Sequence, residues 1–572
     1  MTRAWMLRVC LIAILAIVFT GCSKDKEVTE SKTTTPTKTS SPTPAAVDSK
    51  GSGTDGTDGS GTDEGKGDGA ASKYDPPITL TTVRVKAPTI KYTNGDTVDN
   101  NPWTRAYEKE FGIKIKAVWE VDPTQLEQKM NLTIASGDIP DFFMVNAEQF
   151  KQLTDADLIM DLTDAYNNNA SDRVKGILTE GGELPLKSAT VDGKLMAIPF
   201  TIGTQEGSSM VWLRSDWLQK LNLPEPKSLQ DLLAISEAFT TKDPDGNNKK
   251  DTFGLAFDKD FSTLNGFLNG YHAYRGIWLK DASGQLVYSS VQPEMKAALQ
   301  KLQEMFKAGQ IDREFGSKAF AKVGEDMINN KIGILYASPY VGLYPLQTVV
   351  DKNAEAEWKA YPLPSIDGTP AVNQVNLGVN GYWVVKKGVK NPEALLKMLD
   401  LWVRTFYENK DPAINEALVN AADGSEIWQM NAMAAYRAFK NVDQSKKVVQ
   451  ALKDGNTSEL TGDDMGVYEK IKKFNEGDRT LWGWDVIFGE GGSMSISGYY
   501  KDNNLYINNE FYGAALQATV DKGPTLSKME TEAFTKIIMG ASIDEFDKFV
   551  ENWKKLGGDE ITKQVNDWAA GK

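Results

Sequence analysis

Between Asp243 and Asp251 the chain reads DPDGNNKKD, and oxygen-bearing groups fall on every second position: Asp243, Asp245, Asn247, the Lys249 carbonyl and Asp251. Hard cations such as Ca2+ take about six to eight oxygen ligands, and positions 1, 3, 5, 7 and 9 of a calcium loop supply them in this alternation. The spacing therefore predicts a structural Ca2+ site, with the Lys249 and Lys250 side chains turned to solvent. Two positions depart from an EF-hand: Asn248 stands sixth in place of glycine, and Gly254 stands twelfth in place of glutamate. Asp251 itself, Thr252 or water must then complete the shell. The competing reading is a Pro-Asp-Gly turn with solvated charges.

Other chemistry is short of parts. The chain has one histidine, His272, and two cysteines, Cys10 and Cys22, too few for a Cys/His zinc cluster or a His-assisted nucleophile. Paired carboxylates can hydrolyse a glycosidic bond without either, and 78 Asp and Glu residues leave room for such a pair. The formal net charge of -14 argues against nucleic acid as a partner, because phosphates demand a basic footprint.

The elements that must position any site begin after a leader. Arg3 and Arg8 precede an apolar run from Val9 to Phe19, far short of the roughly 20 residues of a spanning helix, so residues 1–21 read as a signal peptide. Phe19-Thr20-Gly21-Cys22 resembles the lipobox of bacterial lipoproteins, with Phe19 in place of the usual leucine. That resemblance implies cleavage before Cys22 and a lipid on its thiol, which leaves no second cysteine for a disulfide. Residues 22–77 are rich in Ser, Thr, Gly, Asp and Lys and offer little apolar surface to offset the entropy of folding, so they read as a flexible tether.

The remaining body is long enough for two lobes. Ile78 to Val85 alternates like a strand, TRAYEKEF like a helix and GIKIKAVWEV like a second strand; a helix carrying Leu126, Met130 and Ile134, the strand DFFMVN and the helix AEQFKQL follow. This alternation predicts α/β lobes with a largely parallel sheet. Ser228 with Asp231 caps one later helix, Asn391-Pro392 opens another, and Ser542 with Glu545 forms a capping box ahead of a stripe that Gly557 ends.

Four segments then match a known family in order: SGDIPDFFMVNAEQFKQLTDADLIMDLTDAY, DGKLMAIPFTIGTQEGSSMVWLRSDWLQKLNLPEPKSLQDL, VGEDMINNKIGILYASPY and IIMGASIDEFDKFVENWKKLGGDEITKQVNDW. Together they resemble the family 1 extracellular solute-binding proteins, the maltodextrin-binding type, in its large lipoprotein subgroup. The resemblance implies a two-lobed periplasmic-binding-protein-like (type II) α/β fold with a hinge. It places the first lobe at 78–203 plus about 365–420 and the second at 204–364 plus about 421–572. It also implies a cell-surface lipoprotein that captures an oligosaccharide in the cleft and delivers it to ABC transporter permease subunits, as a monomer and without catalysis. Members of the family resemble the 243–251 loop and carry calcium there. A peptide-binding or regulatory lipoprotein of the same fold, or an anchored glycan hydrolase, is the alternative.

Sugars need hydroxyl partners and aromatic faces. With 14 Trp, 19 Tyr and 22 Phe, most rings must be core, so the candidates are those beside polar loops: Asn100, Trp103, Asn146, Glu148, Gln205, Glu206, Trp212, Arg214, Trp278, Tyr340, Trp383 and Trp484, the last paired with Trp482. Tyr340, in ASPY, matches a sugar-stacking aromatic of the family. Substituting Cys22→Ser is expected to move the protein from the membrane pellet to the soluble fraction, or to leave it unprocessed. Unchanged fractionation would remove the anchor.

Overall fold

The structure, a computed structural model, describes residues 73–86, 90–93, 95–421 and 425–571. The expected signal peptide, Cys22 and nearly all of the tether lie outside the described residues. Order begins earlier than residue 78: the Tyr74 N–H donates to Phe111 O at 2.9 Å and its hydroxyl to Glu393 Oε1 at 2.6 Å.

The first lobe opens with β1 (Ile78–Val85), α1 (Pro102–Phe111), β2 (Ile113–Val121), α2 (Leu126–Ser136), β3 (Phe142–Val145) and α3 (Ala147–Asp155). Local chemistry sets these boundaries. Asn101 caps α1 in a capping box with Thr104, Asn146 caps α3 in one with Gln149, and Gly112 at φ 68° closes α1. After β4 (Ile198–Thr201) the chain leaves for the second lobe, which holds β5 (Met210–Arg214), α4 (Leu229–Thr241), β6 (Phe253–Ala256), α5 (Asn265–Gly270), β7 (Ile332–Ala337), β8 (Trp358–Tyr361) and β9 (Asn373–Val375). It returns as β10 (Val379–Val385) and α6 (Ala394–Val403), then crosses again into α7 (Lys440–Asp454) and the C-terminal helices, among them α8 (Glu545–Trp553).

Each lobe buries its own core. Leu80, Trp103, Phe142, Phe143, Leu399 and Trp402 belong to the first, which runs on to Ala435, beyond the expected boundary near 420. Met210, Trp217, Phe239, Leu335, Phe534 and Phe549 belong to the second, and a smaller cluster from Ala438 to Met494 packs under α7.

The sheets are mixed and not largely parallel. The first orders β3-β10-β4 with β10 antiparallel to both neighbours, and β1 pairs with β2 in parallel beside it. The second orders β8-β5-β7-β6, where β5 opposes β8 and β7 while β6 and β7 run together. One cause explains both: β5 and β10 are entered straight from the other lobe, so they start at the hinge end and run away from it.

Three segments cross between the lobes, 202–209, the stretch leading to Gly378, and 436–439, and they bond to one another. Ile202 N donates to Gly378 O at 2.8 Å, and Thr201 exchanges bonds with Tyr436 in both directions, at 2.9 and 2.8 Å. Gly378 sits at φ 72° with Ile202 O only 3.3 Å from where a Cβ would stand. Two expected helix starts differ. The helix α6 begins at Ala394 with Glu393 before it, and not at Asn391. The Ser542 hydroxyl turns to Asp544 (3.0 Å) in place of boxing with Glu545, while Gly557, at φ 141°, lies within a π-helical turn that continues α8.

Candidate functional site

Because β6, β7 and β8 all run toward the crossings, the loops that follow them collect at one end of the second lobe. After β6 comes Ser262-Thr263 and then α5; after β7 comes Ser338. With the crossing residues Thr204 and Gly207 to Ser209 and the stretch Asn373 to Asn376, these line a pocket of about 370 Å³. Ligand sites in α/β folds form outside the carboxyl ends of strands in this way.

The wall is mostly hydroxyls and carboxamides, and several of its residues are held from behind. Trp212 Nε1 donates to Ser338 O at 3.2 Å, the Ser208 hydroxyl to Gln205 O at 2.6 Å, and the Ser262 hydroxyl to Asp258 Oδ1 at 2.8 Å. The Asn269 carboxamide, oriented to satisfy its neighbours, accepts from Gln374 N at 3.1 Å and donates to Asn265 O at 3.0 Å. Thr263 Oγ1, Asn265 Oδ1 and the Tyr336 hydroxyl, by contrast, are buried and find no partner in the protein. A buried polar atom left unsatisfied costs about 1–3 kcal/mol, a penalty that a ligand hydroxyl removes.

On the other side of the first crossing stands a buried carboxyl. Glu206 is 4% exposed and accepts from the Tyr340 hydroxyl (3.1 Å), Asn441 Nδ2 (2.7 Å) and Asn441 N (2.8 Å). Burial outweighs these donors and the nearby Lys440, and pushes its pKa up to about 7. Burial and the Glu206 charge together raise that of the Tyr340 phenol.

Of the residues singled out from sequence, Gln205, Glu206 and Tyr340 gather at the crossings. Gln205 is buried, with Nε2 donating to Gly181 O at 2.9 Å. Asn146 and Glu148 are exposed at the end of β3, where β10 sets out from the crossing. Asn100 is exposed and accepts from Arg105 at 3.0 Å. The rest are packing groups. Trp103 is wholly buried against Tyr107 and Trp402, and its Nε1 donates to Leu418 O. Trp212 is equally buried in β5, and Arg214 forks onto Asp216 and stacks on Trp217 at 4.4 Å. Trp278 packs on Tyr288, and Trp383, half-buried, donates to Ala434 O. Trp482 is buried, and Trp484 has one face capped by Lys470 Nζ at 3.4 Å. Asn265, Thr263, Tyr336 and Asn441 were missed. Polar residues following an apolar strand could have pointed to Thr263 and Asn265; nothing local points to Asn441.

In the 243–251 loop, Asn247 Nδ2 bridges Asp245 Oδ2 (2.7 Å) and Asp251 Oδ1 (3.1 Å), and Asn248 at φ 60° supplies the left-handed turn that glycine takes in an EF-hand. Asp243 Oδ1 is buried with no donor, and burial, then the neighbours Asp243 and Asp251, raise the pKa of Asp245. Among the described residues no group of three or more His, Cys, Asp or Glu side chains is gathered into a metal site. The donor set, oxygen throughout and crowded with acids, nonetheless fits a hard cation.

The bacterial extracellular solute-binding protein family matches residues 103–399, more than half of the chain. The chain belongs to that family. Among its relatives is Lipoprotein LipO of Bacillus subtilis (strain 168), 23% identical over 497 residues that cover 85% of this chain and 91% of that protein. The polygalacturonan/rhamnogalacturonan-binding protein YtcQ of the same organism is 23% identical over 473 residues, covering 80% and 86%. A solved structure of an HMO-binding, ABC-transporter-associated solute-binding protein from Bifidobacterium longum infantis covers 86% of this chain and 98% of its own, at 16% identity and TM-score 0.57. It shares the two-lobed fold. No helix among the described residues of this solute-binding protein is long and apolar enough to cross a membrane.

A carboxyl whose pKa is raised in the folded state binds more protons there than in the unfolded chain. For Glu206 that holds between its ordinary value of 4.5 and about 7, so stability falls as pH rises through this window. The loss is expected to be about 3.5 kcal/mol, from a rise of about 2.5 pKa units at about 1.4 kcal/mol each. Melting curves from pH 5 to 8 should therefore fall more steeply for the natural protein than for Glu206→Gln; parallel curves would show that Glu206 is not the titrating group.

Proposed function

We propose that this solute-binding protein captures an oligosaccharide in the pocket beneath the crossing segments and delivers it to an ABC transporter permease. It acts as a monomer, without catalysis, and is held on the outer face of the cell membrane by a lipid on Cys22. The observation that carries the reading is the wall itself: hydroxyls and carboxamides at strand ends, with Thr263 Oγ1, Asn265 Oδ1 and the Tyr336 hydroxyl unpartnered. A sugar hydroxyl both donates and accepts, so it can satisfy all three. Tyr340, half-buried at the crossings, and the exposed Asn146 and Glu148 at the end of β3 are proposed as further contacts. The names of YtcQ and the Bifidobacterium protein support a saccharide, and that of LipO a lipid anchor.

A panel of oligosaccharides tested by thermal shift and calorimetry is the check. A bound saccharide at a hundred times its Kd should add about 2.7 kcal/mol of stability and be recovered unchanged. Thr263→Val and Asn265→Leu should each cost about 1–3 kcal/mol of affinity, judged from the worth of a hydrogen bond in a buried site. Cleavage of the saccharide, or full affinity in both variants, would overturn the reading.

For the 243–251 loop the proposal is a structural Ca2+ held by Asp243, Asp245, Asn247, the Lys249 carbonyl and Asp251. The ion would neutralise acids that now crowd one another and would stiffen the end of α4, taking no part in ligand chemistry. Chelation should lower Tm, and Ca2+ should restore it better than Mg2+. Asp245→Ala combined with Asp251→Ala should abolish the difference. A Tm indifferent to chelator and Ca2+ alike would make the stretch a turn.

A further inference from the structure

Hydroxyls and carboxamides make up most of the pocket wall, yet none of the described residues lining it carries a charge. Two acids and an arginine engaged elsewhere adjoin it. Asp258, 2% exposed, stands behind Ser262 and accepts from its N–H and hydroxyl at 2.8 Å each. Glu206 lies in the same turn as Thr204 and Gly207. Arg275 is tied to the wall only through its backbone, which exchanges bonds with the Gln374 carboxamide at 3.0 and 2.9 Å. Its guanidinium faces away, onto Glu530 Oε1 (2.7 Å), the Thr531 hydroxyl (3.1 Å) and Asp260 O (3.2 Å).

A ligand carboxylate placed here would give up its hydration with no cation to replace it, in the company of buried acids. It would also approach through the field of a chain of net charge -14. Neutral hydroxyls meet neither obstacle. We infer that the pocket selects neutral oligosaccharides and rejects uronic acids, unlike the polygalacturonan that the name of YtcQ assigns to that relative; the inference rests on the oligosaccharide reading above and adds the sign of the ligand to it.

The test compares tetrasaccharides of equal length by thermal shift and calorimetry at neutral pH and physiological ionic strength: maltotetraose, xylotetraose and nystose as neutral probes, tetragalacturonate as the anion. At least one neutral probe should raise Tm by several degrees, while tetragalacturonate binds at least about tenfold more weakly. Asn376→Arg adds a cation at an exposed position on the rim, outside the packed core, and should give tetragalacturonate a shift that the natural protein lacks. If tetragalacturonate binds as well as the best neutral probe, charge selection falls while the oligosaccharide reading stands. If no probe of either kind shifts Tm, the oligosaccharide reading falls and this inference with it. If Asn376→Arg keeps its neutral ligand but gains nothing for the uronate, selection is not made in this pocket and the assignment is overturned.

Discussion

The chain passes between its two cores three times, and the three passages are bonded side by side. Thr201 and Tyr436 exchange hydrogen bonds in both directions, and Ile202 donates to Gly378 O. Most of the rest follows from this constraint. A strand that starts at the crossings must run away from them, so β5 and β10 oppose their neighbours, and the strands running the other way deliver their loops to the crossings. The site lies where it does because β6 and β7 end there. Gly378 lets the passages approach: its left-handed backbone strains any side chain there, and the Ile202 carbonyl at 3.3 Å from a would-be Cβ would have to give way.

Polar residues can line such a pocket only if something behind them fixes their orientation. Ser338 is braced by Trp212, Ser262 by Asp258, and Asn269 by the backbone of α5 and of Gln374. These bonds leave the wall preorganised, which spares a ligand the entropy of ordering it. The bracing also explains where the aromatic rings went. Trp212 supports the wall with its Nε1 and packs its ring in the core, so it shapes the site without facing it.

Legibility in the sequence followed the range of the interaction. The succession β1-α1-β2-α2-β3-α3 and the Ser228–Asp231 box were readable because caps, periodicity and turn residues act within a few positions. The Ser542–Glu545 box has the right spacing, but Asp544 competes for the Ser542 hydroxyl. Trp103 and Trp278 sit beside polar loops in sequence and still point inward, since a ring gains more from burial than from a rim position. Glu206 was legible as a crossing residue. Its partner Asn441 was not, because 235 residues separate them and nothing local marks the meeting.

Adjacent residues at the first crossing hold opposite lobes. Gln205 reaches into the first through one neutral bond to Gly181 O, while Glu206 is held in the second by three donors from Tyr340 and Asn441, and its carbonyl accepts from the Ser497 hydroxyl at 2.9 Å. A neutral bond contributes about 1 kcal/mol net, and bonds to a charged group roughly twice that. Any change in the angle between the lobes would therefore break the Gln205 tie before the Glu206 cluster, and residues from Glu206 onward would move with the second lobe. The bend would fall between Thr201 and Gln205, where Gly203 lies with the Arg437 carbonyl 3.1 Å from a would-be Cβ. The Arg437 guanidinium spans the same divide, paired with Glu180 of the first lobe and, at 2.5 Å, with Asp443 of α7, so the third crossing would have to yield beside the first.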